Sequence, residues 1–133
     1  MTMVSTRGRY ALRVMTDLAL YSNGEYIPMK DVAARQEISL KYLEQILPTL
    51  TRHGLVETVH GKGGGYRLTR KPSEYRLGEI LRLTEGGLAP VACLAEDAPP
   101  CSKVKECKSI KFWQGLDKAI NDYIDSYTLE DLL

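Results

Sequence analysis

The chain has 133 residues, 44% of them apolar, and a formal net charge of +1, which predicts one domain with room for an added tail or helix. No apolar run approaches the roughly 20 residues of a membrane span, and the opening MTMVSTRGRY lacks the apolar core of a signal peptide; a cytoplasmic protein with no membrane partner is expected. The charge is unevenly placed: residues 1–85 carry thirteen Lys or Arg against nine acids, and residues 86–133 carry five against eight. This suits a nucleic-acid face in front and a different face behind.

Arg7 to Tyr21 reads as a first helix, with Tyr10, Val14, Leu18 and Tyr21 on one face and Ala11, Met15 and Leu20 widening it. Arg7, Arg9 and Arg13 fall in its first two turns, as solvated surface or as phosphate contacts. Ser22 to Tyr26 is a loop turning at Asn-Gly, and Ile27-Pro28 is a short extended piece. Pro28 or Met29 opens a second helix to about Gln36, with Val32, Ala33 and Ala34 facing inward. Glu37-Ile38 forms a turn. Leu40, Leu43, Ile46, Leu47 and Leu50 then mark the buried face of a third helix. Ser39 is its N-cap, Gly54 ends it, and Pro48 is a tolerated kink because the apolar period continues through Leu50. This pair of helices is a helix-turn-helix.

Leu55 to His60 alternates apolar and polar residues, Gly61 to Gly65 reads GKGGG, and Tyr66 to Thr69 returns. That is a hairpin with a permissive turn. A helix followed at once by a glycine-tipped basic hairpin has the plan of a winged helix-turn-helix. The expected fold is therefore mainly α with a small β-wing and a long C-terminal dimerisation helix. A helix fits the major groove, and a glycine-rich wing lets backbone amides approach phosphates. Lys41, Tyr42, Glu44 and Gln45 are groove-facing types, with Glu suited to the cytosine amino group and Gln to adenine. Double-stranded DNA is the expected partner. The plainer reading is an ordinary polar helix face, and the adjacent wing weighs against it.

Residues 71–76 are a connector, and Leu77 to Leu83 is a short helix expected to pack under the wing. Glu85-Gly86-Gly87 breaks it. Residues 88–107, with prolines at 90, 99 and 100, form a loop of about twenty residues, too long to be idle. Ser109 to Tyr127 is the last long helix. Its apolar stripe of Trp113, Leu116, Ile120, Tyr123, Ile124 and Tyr127 is wide for a small domain to cover. Pairing with a second copy is expected, the alternative being packing on the first helix. Pairing would also set two reading helices about one duplex turn apart. Thr128 to Leu133 is a short tail. Three units follow: 1–85 for DNA binding, 86–108 for a cysteine-containing sensor loop, and 109–133 for dimerisation.

Cys93, Cys101 and Cys107 are the three cysteines, all within fifteen residues. An odd clustered set argues against a disulfide framework and for a metal or redox site. Thiolates are soft ligands for an iron–sulfur cluster or zinc; spacing leaves the metal open, and three free thiols is the plainer alternative. An enzyme is disfavoured. Cys-x-x-Cys is absent, two histidines offer no Ser-His-Asp arrangement, and the glycine run lacks the Gly-Lys-Ser/Thr of a phosphate loop.

STRGRYALRVMTDLAL, ISLKYLEQI, GLVETVHGKGGGYRL and the final TLEDLL together resemble the Rrf-type family of winged-helix regulators, with IscR-like, NsrR-like and CymR-like branches. The resemblance covers nearly the whole chain and lies nearest the IscR-like branch. It implies a homodimeric repressor on a palindromic operator, with a base-reading glutamate at Glu44 between Tyr42 and Gln45. Arg7, Arg9, Ser39 and Lys41 complete the helical side of the expected site, and His60, Gly61, Lys62, Gly63 and Gly64 the wing. The family often carries arginine where this chain has His60, which puts minor-groove reading by the wing in question. The resemblance turns the cysteine site towards an iron–sulfur cluster, 2Fe–2S in preference to 4Fe–4S. Two family ligands are replaced: a histidine three residues after the third cysteine is Ile110 here, and an aspartate of the first helix is Arg9. Glu106, Ser102 or an acid from the other subunit remain for the fourth position. The alternative is CymR-like control by a regulatory protein partner or by thiol redox state, without a cluster. A zinc-stabilised DNA-binding protein is a further variant.

Overall fold

The computed structural model describes residues 4–95 and 107–133. In chain order they form α1 (Thr6–Tyr21), α2 (Met29–Gln36), α3 (Leu40–Arg52), β1 (Val56–Val59), β2 (Gly65–Leu68), α4 (Leu77–Glu85) and α5 (Ile110–Ser126), with 3-10 turns at Pro72–Glu74, Ala92–Leu94 and Leu129–Leu132. Among the described residues, no helix is long and apolar enough to cross a membrane.

The core is built from one face of each of the first four helices. Ala11, Val14, Met15 and Leu18 of α1 meet Val32 of α2, Leu43, Ile46, Leu47 and Leu50 of α3, and Ile80 of α4. Leu55, Tyr75 and Leu129 join them from the connecting segments. Burying these side chains drives the assembly, at about 1.5–3 kcal/mol for each large apolar group. The periodicity overestimated this face at its ends. Leu20 and Tyr21 of α1 are 53% and 54% exposed, Leu40 of α3 is 44% exposed, and Ala34 of α2 lies in solvent. Terminal turns project beyond the neighbouring helices, so nothing is left to cover them. Tyr21 instead lies under the Arg35 guanidinium, 4.2 Å from its centroid.

A buried carboxylate joins α1 to α2. Asp17 is fully buried and accepts from Arg35 Nε and Nη2 at 3.0 and 2.7 Å and from Gln36 Nε2 at 2.9 Å. Arg13 adds a bond to the Gln36 carbonyl and lies 5.2 Å from the Tyr10 ring centroid. Arg13 therefore ties α1 to the end of α2.

Pro48 lies inside α3, which continues to Arg52. Proline removes the donor to the Glu44 carbonyl, and both residues are exposed, so water can take that carbonyl. Beyond α3, β1 and β2 form an antiparallel hairpin with Val56 opposite Leu68 and Val59 opposite Gly65. The extended piece before α2 adds a third rung, with Ile27 and Tyr66 exchanging bonds of 2.8 and 2.9 Å. Gly65 permits this approach, because a Cβ there would run into the Ile27 carbonyl.

α4 does not lie under the wing. It packs chiefly on α1 and α5, because its apolar face of Leu77, Ile80 and Leu81 turns towards the core. Its link to the wing root is polar, an Arg70–Glu79 fork of 2.9 and 2.8 Å. α4 runs two residues beyond the expected Leu83, and its last residue closes the start of α1. Glu85 Oε1 accepts from Ser5 N at 2.9 Å, Ser5 Oγ at 2.8 Å and Gly8 N at 3.1 Å. No side chain within α1 caps that end, so Glu85 supplies the missing acceptor and a favourable charge at the helix N-terminus. Glu85→Ala is expected to lower stability by about 1–2 kcal/mol, read as a Tm fall of several degrees at fixed protein concentration. An unchanged Tm would show that water replaces the cap at no cost.

α5 rests on α4 rather than on α1. Arg82 donates to Asn121 Oδ1 at 2.7 Å and to both Asp125 oxygens at 2.8 and 2.7 Å. The guanidinium holds the Asp125 carboxyl below its ordinary pKa. No residue of α5 is buried; Phe112 and Tyr123 are 65% and 64% exposed, and Leu116 and Tyr127 each 37%.

Candidate nucleic-acid interface and cysteine loop

The helix-turn-helix is α2 and α3 joined at Glu37, which takes a left-handed conformation at φ 54. A non-glycine residue in that region is uncommon and marks a tight turn. Ser39 caps α3, its Oγ accepting from Tyr42 N at 3.1 Å. The first turn of α3 carries no acid, leaving the positive end of the helix dipole unopposed for phosphate. Lys41, Glu44 and Gln45 are exposed, on the side opposite Leu43, Ile46 and Leu47. Tyr42 differs from expectation. It is half-buried, its ring set edge-on to Tyr10 at 5.2 Å, which fixes the first turn of α3 against α1.

Arg7 and Arg9 are both exposed, but they are not equivalent. Arg7 Nη2 donates to Thr49 Oγ1 of α3 at 2.9 Å, which ties α1 to the later turns of α3. In the wing, His60, Gly61, Lys62 and Gly63 are exposed and Gly64 is half-buried. Gly63 has φ 76, which a side chain would strain, and Gly64 N bonds the Gly61 carbonyl at 3.0 Å. The tip is thus a closed turn whose Lys62 reaches into solvent.

Cys93 and Cys107 are free thiols that border residues 96–106. Cys101, with the candidate ligands Ser102 and Glu106, lies outside the described residues. Cys93 sits on the 3-10 turn Ala92–Leu94, and Cys107 stands just before α5. The two described thiols thus stand between α4 and α5, on either side of residues 96–106. Trp113 Nε1 donates to Ser109 Oγ at 3.1 Å, leaving the Ser109 proton free for Cys107 Sγ at 3.5 Å. That side-chain bond, with the backbone amides of Ser109 and Ile110, lowers the Cys107 thiol below its ordinary pKa. A lowered pKa eases the deprotonation that a thiol needs before it binds a soft metal.

Three residues important to this geometry carried no signal in the linear pattern. Asp17, Tyr75 and Glu85 each act on elements distant in sequence, and their residue types suit a solvated surface equally well.

The chain matches the Rrf2 family model, described as iron-dependent transcriptional regulators, over residues 4–133. It is 34% identical over 130 residues to the HTH-type transcriptional regulator IscR of Aliivibrio salmonicida, covering 98% of this chain and 76% of that protein. The solved structure of CymR, the global cysteine regulator of B. subtilis, superposes with a TM-score of 0.79 at 36% identity, covering 99% of this chain and 96% of that one. IscR of T. potens gives a TM-score of 0.73 at 33% identity, covering 97% and 84%. With this match along its length and a winged helix-turn-helix at its centre, the chain belongs to the Rrf2 family and is a DNA-binding transcriptional regulator, not an enzyme.

Proposed function

We propose that the chain is a cytoplasmic repressor that binds a palindromic operator as a homodimer. One observation carries the DNA reading: the capped first turns of α3 and the glycine tip of the wing both expose DNA-facing residue types. In this reading Glu44 and Gln45 face base edges, while Ser39, Lys41, Tyr42 and Arg9 hold phosphates and orient the helix. His60, Gly61, Lys62, Gly63 and Gly64 follow the backbone beside the groove. Arg7 takes a phosphate by exchanging its bond to Thr49. The uncovered apolar stripe of α5 supports pairing with a second copy, and 109–133 acts as the dimerisation unit behind the DNA-binding unit 1–85.

In the same proposal Cys93, Cys101 and Cys107 of the 86–108 loop hold an iron–sulfur cluster, 2Fe–2S in preference to 4Fe–4S. The donor chemistry fits: the two described cysteines are free, and hydrogen bonds from Ser109 lower the Cys107 thiol below its ordinary pKa. A bound cluster would supply a redox-active iron–thiolate centre. The protein's part is mechanical. Cys93 follows α4 and Cys107 precedes α5, and Arg82 already joins those helices through Asn121 and Asp125. A ligand bound by these cysteines changes operator affinity only by binding the two dimer states unequally.

The likeness to CymR favours a second reading, in which a regulatory protein partner or thiol oxidation replaces the cluster. An anaerobic absorption spectrum with iron and sulfide assays separates the two. A brown protein with bands between roughly 320 and 450 nm, lost in Cys93→Ala and Cys107→Ala together with a changed operator affinity, is expected. A colourless protein that cannot be reconstituted, binding operator as before in both variants, would overturn the cluster reading and favour the partner-controlled one.

A further inference from the structure

The wing has almost no core of its own. Two four-residue strands cannot hold a fixed direction in water by themselves, so something outside the hairpin must aim it.

Tyr75 meets that need. It is fully buried, and its hydroxyl lies between the two ends of the hairpin. It donates to the Leu55 carbonyl at 2.7 Å, just before β1. It accepts from Thr69 N at 2.9 Å and Arg70 N at 3.0 Å, just after β2. One oxygen therefore closes the hairpin root on both sides. Thr69 Oγ1 reinforces it with a bond of 2.7 Å to the Gly54 carbonyl. Arg70 sits 4.9 Å from the Tyr75 ring centroid while it forks onto Glu79 of α4.

The backbone of Tyr75 is held as firmly as its side chain. Its carbonyl accepts from Leu129 N at 2.9 Å, and Leu77 N bonds the Tyr127 carbonyl at 3.0 Å. The tail that follows α5 thus pairs with the segment bearing Tyr75, and Leu129 is itself fully buried.

We propose that Tyr75 is the positioning residue of the wing: it sets the direction in which Lys62 and the glycine tip are presented to the duplex. The assignment rests on the reading above, in which the wing contacts DNA. Tyr75→Phe keeps the buried ring and removes the single oxygen. It takes the acceptor from the Thr69 and Arg70 amides and leaves the Leu55 carbonyl only a 3.4 Å contact from Thr69 Oγ1, so the hairpin root loosens while the four-helix core keeps its packing.

The test measures operator affinity against salt concentration for the full chain, Tyr75→Phe, Lys62→Ala and the double variant, all well below their melting temperatures. Lys62→Ala in the native background should flatten the log–log salt dependence by about two, one for each wing of the dimer. Tyr75→Phe should weaken operator binding about 10-fold with a similar flattening, since a displaced wing loses the same phosphate contact. Adding Lys62→Ala to Tyr75→Phe should then change little. A structural role would lower the melting temperature but leave the two effects independent, so equal Lys62→Ala losses in both backgrounds overturn the assignment of Tyr75. Lys62→Ala with no effect in the native background overturns the wing reading, and the proposal with it. Thr69→Val is the second variant, replacing an exposed hydroxyl that donates to the Gly54 carbonyl and lies 3.2 Å from Tyr75 Oη. It should give the same pattern at smaller size, and additivity with Lys62→Ala there counts against the proposal equally.

Discussion

Glu44→Ala is expected to weaken binding to the operator about 10- to 100-fold, the range of one good base-edge contact in the major groove. Binding to unrelated duplex should rise slightly. Glu44 is exposed and no ion pair neutralises it among the described residues. Its carboxylate only accepts hydrogen bonds, so among base edges it matches an amino donor such as cytosine N4. Near phosphates the same charge is repelled. The two effects have opposite signs on specific and non-specific DNA, and the ratio of the two affinities is therefore the readout. An operator selected from random duplexes with the native protein, titrated in parallel with an unrelated duplex, provides it. A uniform fall on both would mean that Glu44 supports the helix rather than reads a base. An unchanged ratio would remove it from the readout altogether. The melting temperature should stay within about 2 °C, because an exposed surface substitution seldom shifts stability by more than about 0.5 kcal/mol.

The largest expected effect on stability belongs to Asp17→Ala, at about 2–3 kcal/mol. The carboxylate accepts three bonds and has no exposure to water, and charged hydrogen bonds of this kind are worth about 1.5–3 kcal/mol each before compensation. Compensation is substantial here. The Arg35 side chain keeps 32% exposure and can rehydrate when its partner is lost, so the sum of three bonds is not expected. For a chain of this size the loss corresponds to a Tm fall of about 8 °C, to be measured at one protein concentration because dimerisation would make Tm concentration-dependent. Operator affinity should fall as well, since Asp17 fixes α2 and thereby the turn into α3. A fall of less than about 2 °C would mean that Arg35 and Gln36 are satisfied by water at almost no cost, and that packing alone sets the helix-turn-helix.

Much of the fold was legible in the linear pattern because its signals are local. Ser39 precedes an apolar helical period, and a hydroxyl there caps whatever helix forms. Gly54 and the GKGGG tip allow conformations that other residues resist. A stripe of six apolar residues from Trp113 to Tyr127 remains a stripe in any environment. These features determined the order of helices, the hairpin and the exposed first turns of α3.

Tertiary structure decided what spacing could not express. Arg13 and Arg7 look alike in sequence, yet one serves the Gln36 carbonyl and the other Thr49. Tyr42 appears free on a helical wheel and is held by Tyr10. The short α4 could have covered the wing or α1, and the choice fell to α1 because the wing offers too little apolar surface to compete with the core. Asp17, Tyr75 and Glu85 show the general reason. Each satisfies backbone or side-chain groups between 18 and 80 residues away. A polar side chain carries no local mark of the partner it will meet, whereas an apolar period or a glycine turn does. The sequence by itself determined which elements form and which faces are apolar; only the packed structure decided which polar groups bind those elements together.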